Sequence, residues 1–470
     1  MLKRSLARWI VLPVTLVAVG WLLGQRVLGA ESITAQMGTF TNTDGVSSFA
    51  LSVKPTAIAA TTSARDIVVL FNTSASQIGE SRTKAFDALK GLLGGLNAGD
   101  RVRLVAVDLN AVPLTQTFVA PNSKEMEAAL AALDARVPLG ATDMAKAVEA
   151  VVGSYGGESK NARAAVYIGD GRSAAHLLET DEFQKLSARL ADSRIPLSSY
   201  AVGVRLDRQL LGALAVQTGG AVIVESETSG QEAGRSLATA ADATVLWPTS
   251  VTWPAEVTSV FPKRMPPLRN DRDTIVLGTL KGKDPLEIQL DVAGAAGPEK
   301  IAMTVSPGAS DERNTYLAQL VERARVDGGV TMPLVGSASL EEARQAVNSG
   351  VRNIDRLAQQ ALAGGNVDGA EKLIGEALRQ DPNDSEALSL KGAVAKRKQA
   401  AGANIRLAAA EPPPATGGLK PPPPPTPAGN AAGDLNLVGP PAAEEPPAGT
   451  LAEGFQHERR VVAQMMQAEV

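Results

Sequence analysis

Three short polar turns hold the side chains best suited to chemistry. The first is Asn72-Thr73-Ser74-Ala75-Ser76, which closes the apolar, β-branched run Ile67-Val68-Val69-Leu70-Phe71. The second is Gly140-Ala141-Thr142-Asp143. The third is Gly169-Asp170-Gly171, which follows the apolar run Val166-Tyr167-Ile168. Apolar runs of this length read as buried parallel strands, and the turns then fall at the strands' carboxyl ends, where open α/β sheets place their ligands. Nucleophilic chemistry would need a base beside Ser74. The two histidines are His176 and His457, so a hydrolase would have to be built from Ser74, His176 and Asp170. Ser74 lacks the G-x-S-x-G elbow of such enzymes. The sequence also has no phosphate loop, H-E-x-x-H or G-x-G-x-x-G motif. The turns therefore predict binding rather than catalysis, and the protein is expected not to be an enzyme.

The surrounding pattern supplies the elements that would position these turns. From Asp66 to about Val224, short apolar strands alternate with helical stretches. Strands are expected at Ile67–Phe71, Val102–Val107, Gln116–Val119, Ala164–Ile168, Leu197–Val202 and Ala221–Val224. Helices are expected at Arg82–Leu93, Ser123–Leu133, Asp143–Val152, Asp181–Leu190 and Asp207–Thr218. Alternation of this kind predicts an α/β fold, a Rossmann-like doubly wound sheet covered on both faces.

Residues 243–306 change character. Trp247-Pro248 and Trp253-Pro254 punctuate short runs, and strand-like stretches follow at Thr274–Leu280, Leu286–Val292 and Ile301–Val305. An adjoining β-sandwich is expected here. The strand-like run Phe49–Val53 within residues 31–63 is a candidate to complete it, which would make the α/β unit an insertion. Residues 312–400 carry a helical pattern. Residues 411–450 form a Pro-rich linker with an unbroken run at Pro421–Pro425. A C-terminal helix is expected at 451–470, with Leu451, Phe455, Val462 and Met466 on one face.

Composition bounds the partners. A chain of 470 residues with 44% hydrophobic residues has ample core for several domains. A net charge of −4 gives no basic footprint, which excludes nucleic acid as the expected partner. Absence of cysteine excludes disulfides and thiolate metal sites. At residues 1–30, Lys3, Arg4 and Arg8 precede an apolar run from Trp9 to Leu23, and Leu28-Gly29-Ala30 offers a cleavage point. The segment reads as a signal peptide or, alternatively, an uncleaved membrane anchor. The protein is therefore expected to be exported, in the periplasm, on the cell surface or anchored to the membrane.

The ordered turns resemble the von Willebrand factor type A domain over residues 64–226. That family carries a strand, a D-x-S-x-S turn, a later threonine and a later aspartate. Leu96-Asn97-Ala98-Gly99-Asp100-Arg101 resembles its second-strand entry, and Gly140-Ala141-Thr142-Asp143 opens a helix as its threonine loop does. The resemblance implies a metal-ion-dependent adhesion site in which hydroxyls and aspartates surround a divalent cation and a partner carboxylate completes the shell. Ser74, Ser76, Thr142 and Asp170 match the family's serines, threonine and second aspartate. Asn72 stands where the family has its first aspartate. The implied metal residues are thus Asn72, Ser74, Ser76, Thr142 and Asp170, with Mg²⁺ or Mn²⁺ as the ion. Both are hard cations that favour oxygen ligands. Asn72 removes one negative charge, so binding should be weakened and the site degenerate. The competing reading is that Ser74 and Ser76 cap the following helix.

Two further resemblances follow. Val260-Phe261-Pro262 with Pro266-Pro267-Leu268 resembles the β-region after the type A domain in inter-alpha-trypsin-inhibitor-like chains. Residues 351–384 resemble one tetratricopeptide unit, whose period is about 34 residues. Ile354, Leu357, Ala358 and Ala361 would lie on its first helix, and Ala370, Ile374 and Ala377 on its second. Leu388 and Gly392 would begin a following unit; a plain helical hairpin is the alternative. The expected function is protein binding or adhesion through the type A domain. A scaffold working through the helical region is the second reading and a serine hydrolase the third.

Overall fold

The computed structural model describes residues 26–28, 33–42, 44–56, 64–156, 160–225, 228–294, 297–381 and 384–410. The expected leader, apart from 26–28, the Pro-rich linker and the C-terminal helix lie outside the described residues. No described helix is long and apolar enough to cross a membrane.

The α/β body is built on a six-stranded sheet. Its strands are β4 (Arg65–Asn72), β5 (Arg101–Val107), β6 (Ala111–Pro113), β7 (Ala162–Gly169), β8 (Leu197–Ala201) and β9 (Val222–Val224), in the order β6-β5-β4-β7-β8-β9. All pairings are parallel except that of β6 with β5. The apolar run in β4 is continuous because both faces of the strand are buried. Val68 and Leu70 pack against α3 (Met144–Gly153), α4 (Thr180–Asp192) and α5 (Arg208–Thr218). Ile67, Val69 and Phe71 pack against α1 (Glu80–Gly95), α2 (Lys124–Ala135) and α6 (Gly230–Asp242). The architecture is the doubly wound α/β sheet that the sequence predicts. From β4 the chain moves to β5 on one side and later to β7 on the other, so the crevice at a topological switch opens beside Asn72.

Two local expectations change. Gln116–Val119 forms no strand beyond a single bridge between Val102 and Val119, and the sheet's edge is β6 instead. Helix α6 is absent from the sequence reading, yet its packing extends the α/β layer past residue 226. Its contact face is made of small residues, which carry a faint periodic signal. Gly234 of α6 lies against Ala88, Gly91 and Leu92 of α1, Gly230 against Lys84 and Asp87, and Gly95 of α1 against Ala238. A Cβ on Gly234 would lie 2.1 Å from the Ala88 carbonyl oxygen, and one on Gly91 would lie 2.4 Å from that of Gln231. The two backbones touch, so Gly234→Val should force the helices apart. We expect a loss of about 1–3 kcal/mol, read by denaturant unfolding. An unchanged midpoint would mean that α6 packs elsewhere.

The second body is a sandwich of two sheets. One is ordered β1-β15-β14-β10-β12 and the other β11-β13-β3-β2. The strands are β1 (Arg26–Leu28), β2 (Ile33–Thr41), β3 (Ser47–Pro55), β10 (Val245–Thr252), β11 (Val257–Phe261), β12 (Leu268–Arg269), β13 (Thr274–Leu280), β14 (Leu286–Gly294) and β15 (Gly297–Val305). Phe49, Leu51 and Val276 from one sheet meet Leu246, Ile288 and Ile301 from the other. Strand β3 pairs with β13 from Ser47↔Leu280 to Val53↔Thr274, so the α/β body lies between two partners of one sheet. All seven residues of β13 are buried because α7 (Tyr316–Asp327) covers the outer face through Leu317, Leu320 and Val321.

Helix α8 (Ser337–Ala363) leaves that layer at Val347 and continues into a three-helix cluster with α9 (Val367–Gln380) and α10 (Ser385–Ala410). Its core contains Val351, Ala358, Ala370, Ile374 and Ala377. Ala387, Leu390 and Val394 face that core from α10, whereas Leu388 is 49% exposed and Gly392 has open space at its Cβ position. The residues that would begin a second repeat therefore do not enter the packing.

Candidate functional site

The three polar turns converge at the carboxyl edge of the six-stranded sheet. Backbone bonds set their spacing: Ala75 N–H donates to the Gly140 carbonyl at 3.0 Å, Leu139 N–H to Thr73 at 3.1 Å and Ala175 N–H to Thr142 at 3.0 Å. Asn72, at the end of β4, is fully buried; Ser74, Thr142 and Asp170 are buried, and Ser76 is exposed.

Asn72 is the hub. Its Oδ1 accepts from Ser74 N–H at 2.9 Å and from the Thr142 hydroxyl at 3.0 Å. Its Nδ2 donates to Asp170 Oδ1 at 3.1 Å and to the Tyr167 hydroxyl at 3.2 Å. The amide orientation follows from the network, because Ser74 N–H can only donate and must face the oxygen. Ser74 Oγ and Ser76 Oγ bond to each other at 2.9 Å. Asp170 also accepts from Arg172 N–H at 3.2 Å. Burial raises the Asp170 carboxyl above the usual range, while the Ser76 hydroxyl and Arg172 pull it back down. The nearby Asp207 carboxyl is likewise raised by burial, and the Asp170 charge adds to this.

Gly169 makes the close approach feasible. A Cβ there would lie 2.5 Å from Asn72 Cβ and 2.6 Å from the Tyr167 hydroxyl. Gly171 has φ 77, a left-handed conformation that glycine adopts without steric penalty.

Helix capping does not explain the serines. The cap of α1 is Gly79, with no side-chain bond, and α3 is capped by Asp143, whose Oδ1 accepts from Lys146 N–H at 3.1 Å. Nor is a hydrolase assembled. His176 Nε2 lies 2.8 Å from Glu182 on an exposed surface, and Ser74 bonds to Ser76.

The five residues are thus together, but their arrangement is not that of an open cation shell. Here the Asn72 amide spans the gap to Asp170 with a hydrogen bond, and the hydroxyls of Ser74, Ser76 and Thr142 are bonded within the turns. The donor set, with one carboxylate and its polar atoms already satisfied, does not fit a resident divalent ion as it stands.

Tyr167 is the participant that sequence reasoning missed. It lies within a fully buried strand, where apolar pattern is the only signal, but its hydroxyl needs a buried partner and finds it in Asn72 and in Gly171 N–H at 3.3 Å. Thr73 is the other. Its hydroxyl bonds to Asp108 at 3.0 Å, and Arg136 reaches the same Asp108 at 2.6 Å, which ties the first turn to the next two loops.

The rim of the site is apolar. Ile78, Leu109, Val137, Leu139, Leu177 and Val204 lie on loops at this sheet edge and are 49–92% exposed. Only two other large apolar side chains of the described residues, Val326 and Leu388, are comparably exposed.

Residues 65–223 match the family model of the von Willebrand factor type A domain. Among solved structures, a von Willebrand factor type A protein from Catenulispora acidiphila is 12% identical, with 78% of this chain and 90% of that one covered and a TM-score of 0.42. The ArnB paralog VWA2 from Sulfolobus acidocaldarius is 12% identical over 77% of this chain and 93% of that one, at a TM-score of 0.38. Proximal thread matrix protein 1 from the mussel byssus, solved with a zinc-occupied MIDAS motif, is 18% identical over 39% of this chain and 49% of that one, at 0.31. No curated protein matches the chain.

Proposed function

We propose that the von Willebrand factor type A domain at residues 65–223 is a protein-binding module that docks its partner on the loops at the carboxyl edge of its sheet. The observation that carries this reading is the placement of exposed apolar side chains. Six of the eight large ones among the described residues surround the Asn72–Asp170 hub. Exposed apolar surface gathered around a polar centre marks an interaction site more often than a free surface.

In this reading the hub is a rigid polar floor and the apolar rim supplies the contact area. Asn72 does for Asp170 what a cation does in a metal-loaded site of the family, so partner binding proceeds without Mg²⁺ or Mn²⁺ and without a bridging partner carboxylate. The degenerate site remains a protein-binding or adhesion site, with no catalytic role. Export or membrane anchoring is supported by the basic and then apolar pattern of the first 30 residues. The tetratricopeptide-like reading of residues 351–384 rests on the α8–α9 hairpin, whose core contains Ala358, Ala370, Ile374 and Ala377. Their outer faces offer a second contact region.

Val137→Asp combined with Leu139→Asp tests the reading. Both side chains are about two-thirds exposed, so the fold should hold by circular dichroism. Capture of partners from a cell-envelope extract should fall by about tenfold or more, because two rim contacts are replaced by charge. An unchanged set of captured proteins, with deletion of residues 312–410 removing them instead, would move the function to the helices.

A further inference from the structure

At the opposite end of the sheet from the hub, the amino edges of β4 and β7 meet the five-stranded sheet of the sandwich. A cleft of about 610 Å³ opens there, within the size range of small-molecule sites. Its charges are unbalanced. The carboxylates on its walls are already committed: Asp242 pairs with Arg65 Nη1 at 2.9 Å and Asp192 with Arg264 at 2.8 Å. Arg65 is held a second time by the buried Asp100 at 2.7 Å. Three further cations on the walls, Lys160, Arg163 and Arg194, have no carboxylate partner among the described residues.

The positions of these cations are constrained. Arg163 stacks over the Tyr155 ring at 5.3 Å and donates to the Ser193 carbonyl at 3.3 Å, which fixes its guanidinium at the wall. Arg194 follows Ser193, the C-cap of α4, at φ 53. It is the only non-glycine residue with positive φ among the described residues. Helix ends of this conformation favour glycine, so an arginine is retained here against a backbone cost. Half-buried Trp247 offers an aromatic wall.

We propose that this cleft binds a small organic polyanion, with carboxylate or phosphate groups held by Lys160, Arg163 and Arg194 and its body against Trp247. Guanidinium forks suit either group, and the uncompensated charge favours a ligand with two or more negative charges. Because one wall belongs to the type A domain and the other to the sandwich, the bound anion would tie the two bodies together. This inference is independent of the partner-binding face.

Calorimetric titration of citrate and of inorganic pyrophosphate into the full chain at low ionic strength tests the proposal. Saturable binding of either should weaken by about tenfold or more in Arg194→Gly, which removes one charged contact while relieving the backbone. Lys160→Ala, at an exposed position, should also weaken it. Citrate alone would mark a carboxylate site, pyrophosphate alone a phosphate site, and both the shared chemistry. The proposal is overturned if neither binds at millimolar concentration, or if binding is the same in Arg194→Gly and Lys160→Ala as in the unaltered protein.

Discussion

Asn72→Asp should lower the stability of the metal-free protein by about 3–5 kcal/mol, the range for an uncompensated buried charge, and millimolar Mg²⁺ or Mn²⁺ should restore most of the loss. The substitution keeps the Oδ1 contacts to Ser74 N–H and the Thr142 hydroxyl, at 2.9 and 3.0 Å. It replaces the Nδ2 donor, 3.1 Å from Asp170, with a second carboxylate oxygen. Two carboxylates at that separation, both nearly free of solvent, cannot both remain charged without a proton or a cation between them. Tyr167 can turn its hydroxyl toward the new oxygen, but nothing replaces the lost bond to Asp170. A divalent ion does, because two carboxylates and three hydroxyls make the oxygen set it prefers. At an ion concentration about 100-fold above Kd, binding contributes roughly 2.7 kcal/mol. Melting curves in EDTA and in Mn²⁺, with calorimetric titration of both proteins, would measure this. The unaltered protein should show no shift with either ion. If it bound Mn²⁺ as well as the variant, the Asn72 amide would not be closing the site. If the variant were fully stable in EDTA, the hub would not carry the charge balance described.

The same residues show what a sequence can reveal. β4 and β7 are legible because a parallel strand buried on both faces must be apolar at every position, and the polar residues that end such runs stand out. That contrast brings Asn72, Ser74, Thr142 and Asp170 forward before any geometry is known. Spacing cannot say whether Asn72 faces Asp170 with its oxygen or its nitrogen, yet this orientation separates an open cation shell from a closed network. Tyr167 is hidden for the opposite reason, since an aromatic residue in a buried strand looks like core until its hydroxyl is seen to lie 3.2 Å from Asn72 Nδ2. Helix α6 escapes notice because Gly230 and Gly234 suppress the apolar signal at the positions where contact is closest. The apolar rim is invisible in sequence because Ile78, Leu109, Val137 and Leu177 come from separate loops that only the sheet brings to one edge. The β3–β13 pairing joins segments more than 200 residues apart (Phe49 to Gly278), which no local pattern specifies.

The helical cluster carries the other large expected effect, at Asp355 on α8. Its side chain is fully covered, and neither carboxylate oxygen has a hydrogen-bond partner. Burial, and then the negative charges of Asp384, Glu386 and Asp381, push its carboxyl up from 3.8 to about 6. The folded state therefore holds the proton more tightly than the unfolded chain. The stability this provides is present in full below about pH 3.8 and is lost as pH rises through about 6. At pH 7 the charged carboxylate should cost roughly 2 kcal/mol, allowing for partial solvation of its surroundings. Asp355→Asn is neutral at every pH and can donate to the acids around it. It should stabilise the cluster by about that amount at pH 7 and by almost nothing near pH 4. Amide exchange in α8 and α9 is the appropriate readout, because a chain of several bodies need not unfold in one step. Equal protection gains at pH 4 and pH 7 would mean that the substitution acts through packing rather than charge. A gain confined to neutral pH would identify Asp355 as a retained electrostatic cost in the core that joins α8 to α9 and α10. That cost weakens the helical cluster relative to the sandwich at the pH where the protein would meet its partners, so the cluster should be the first part of the described chain to open.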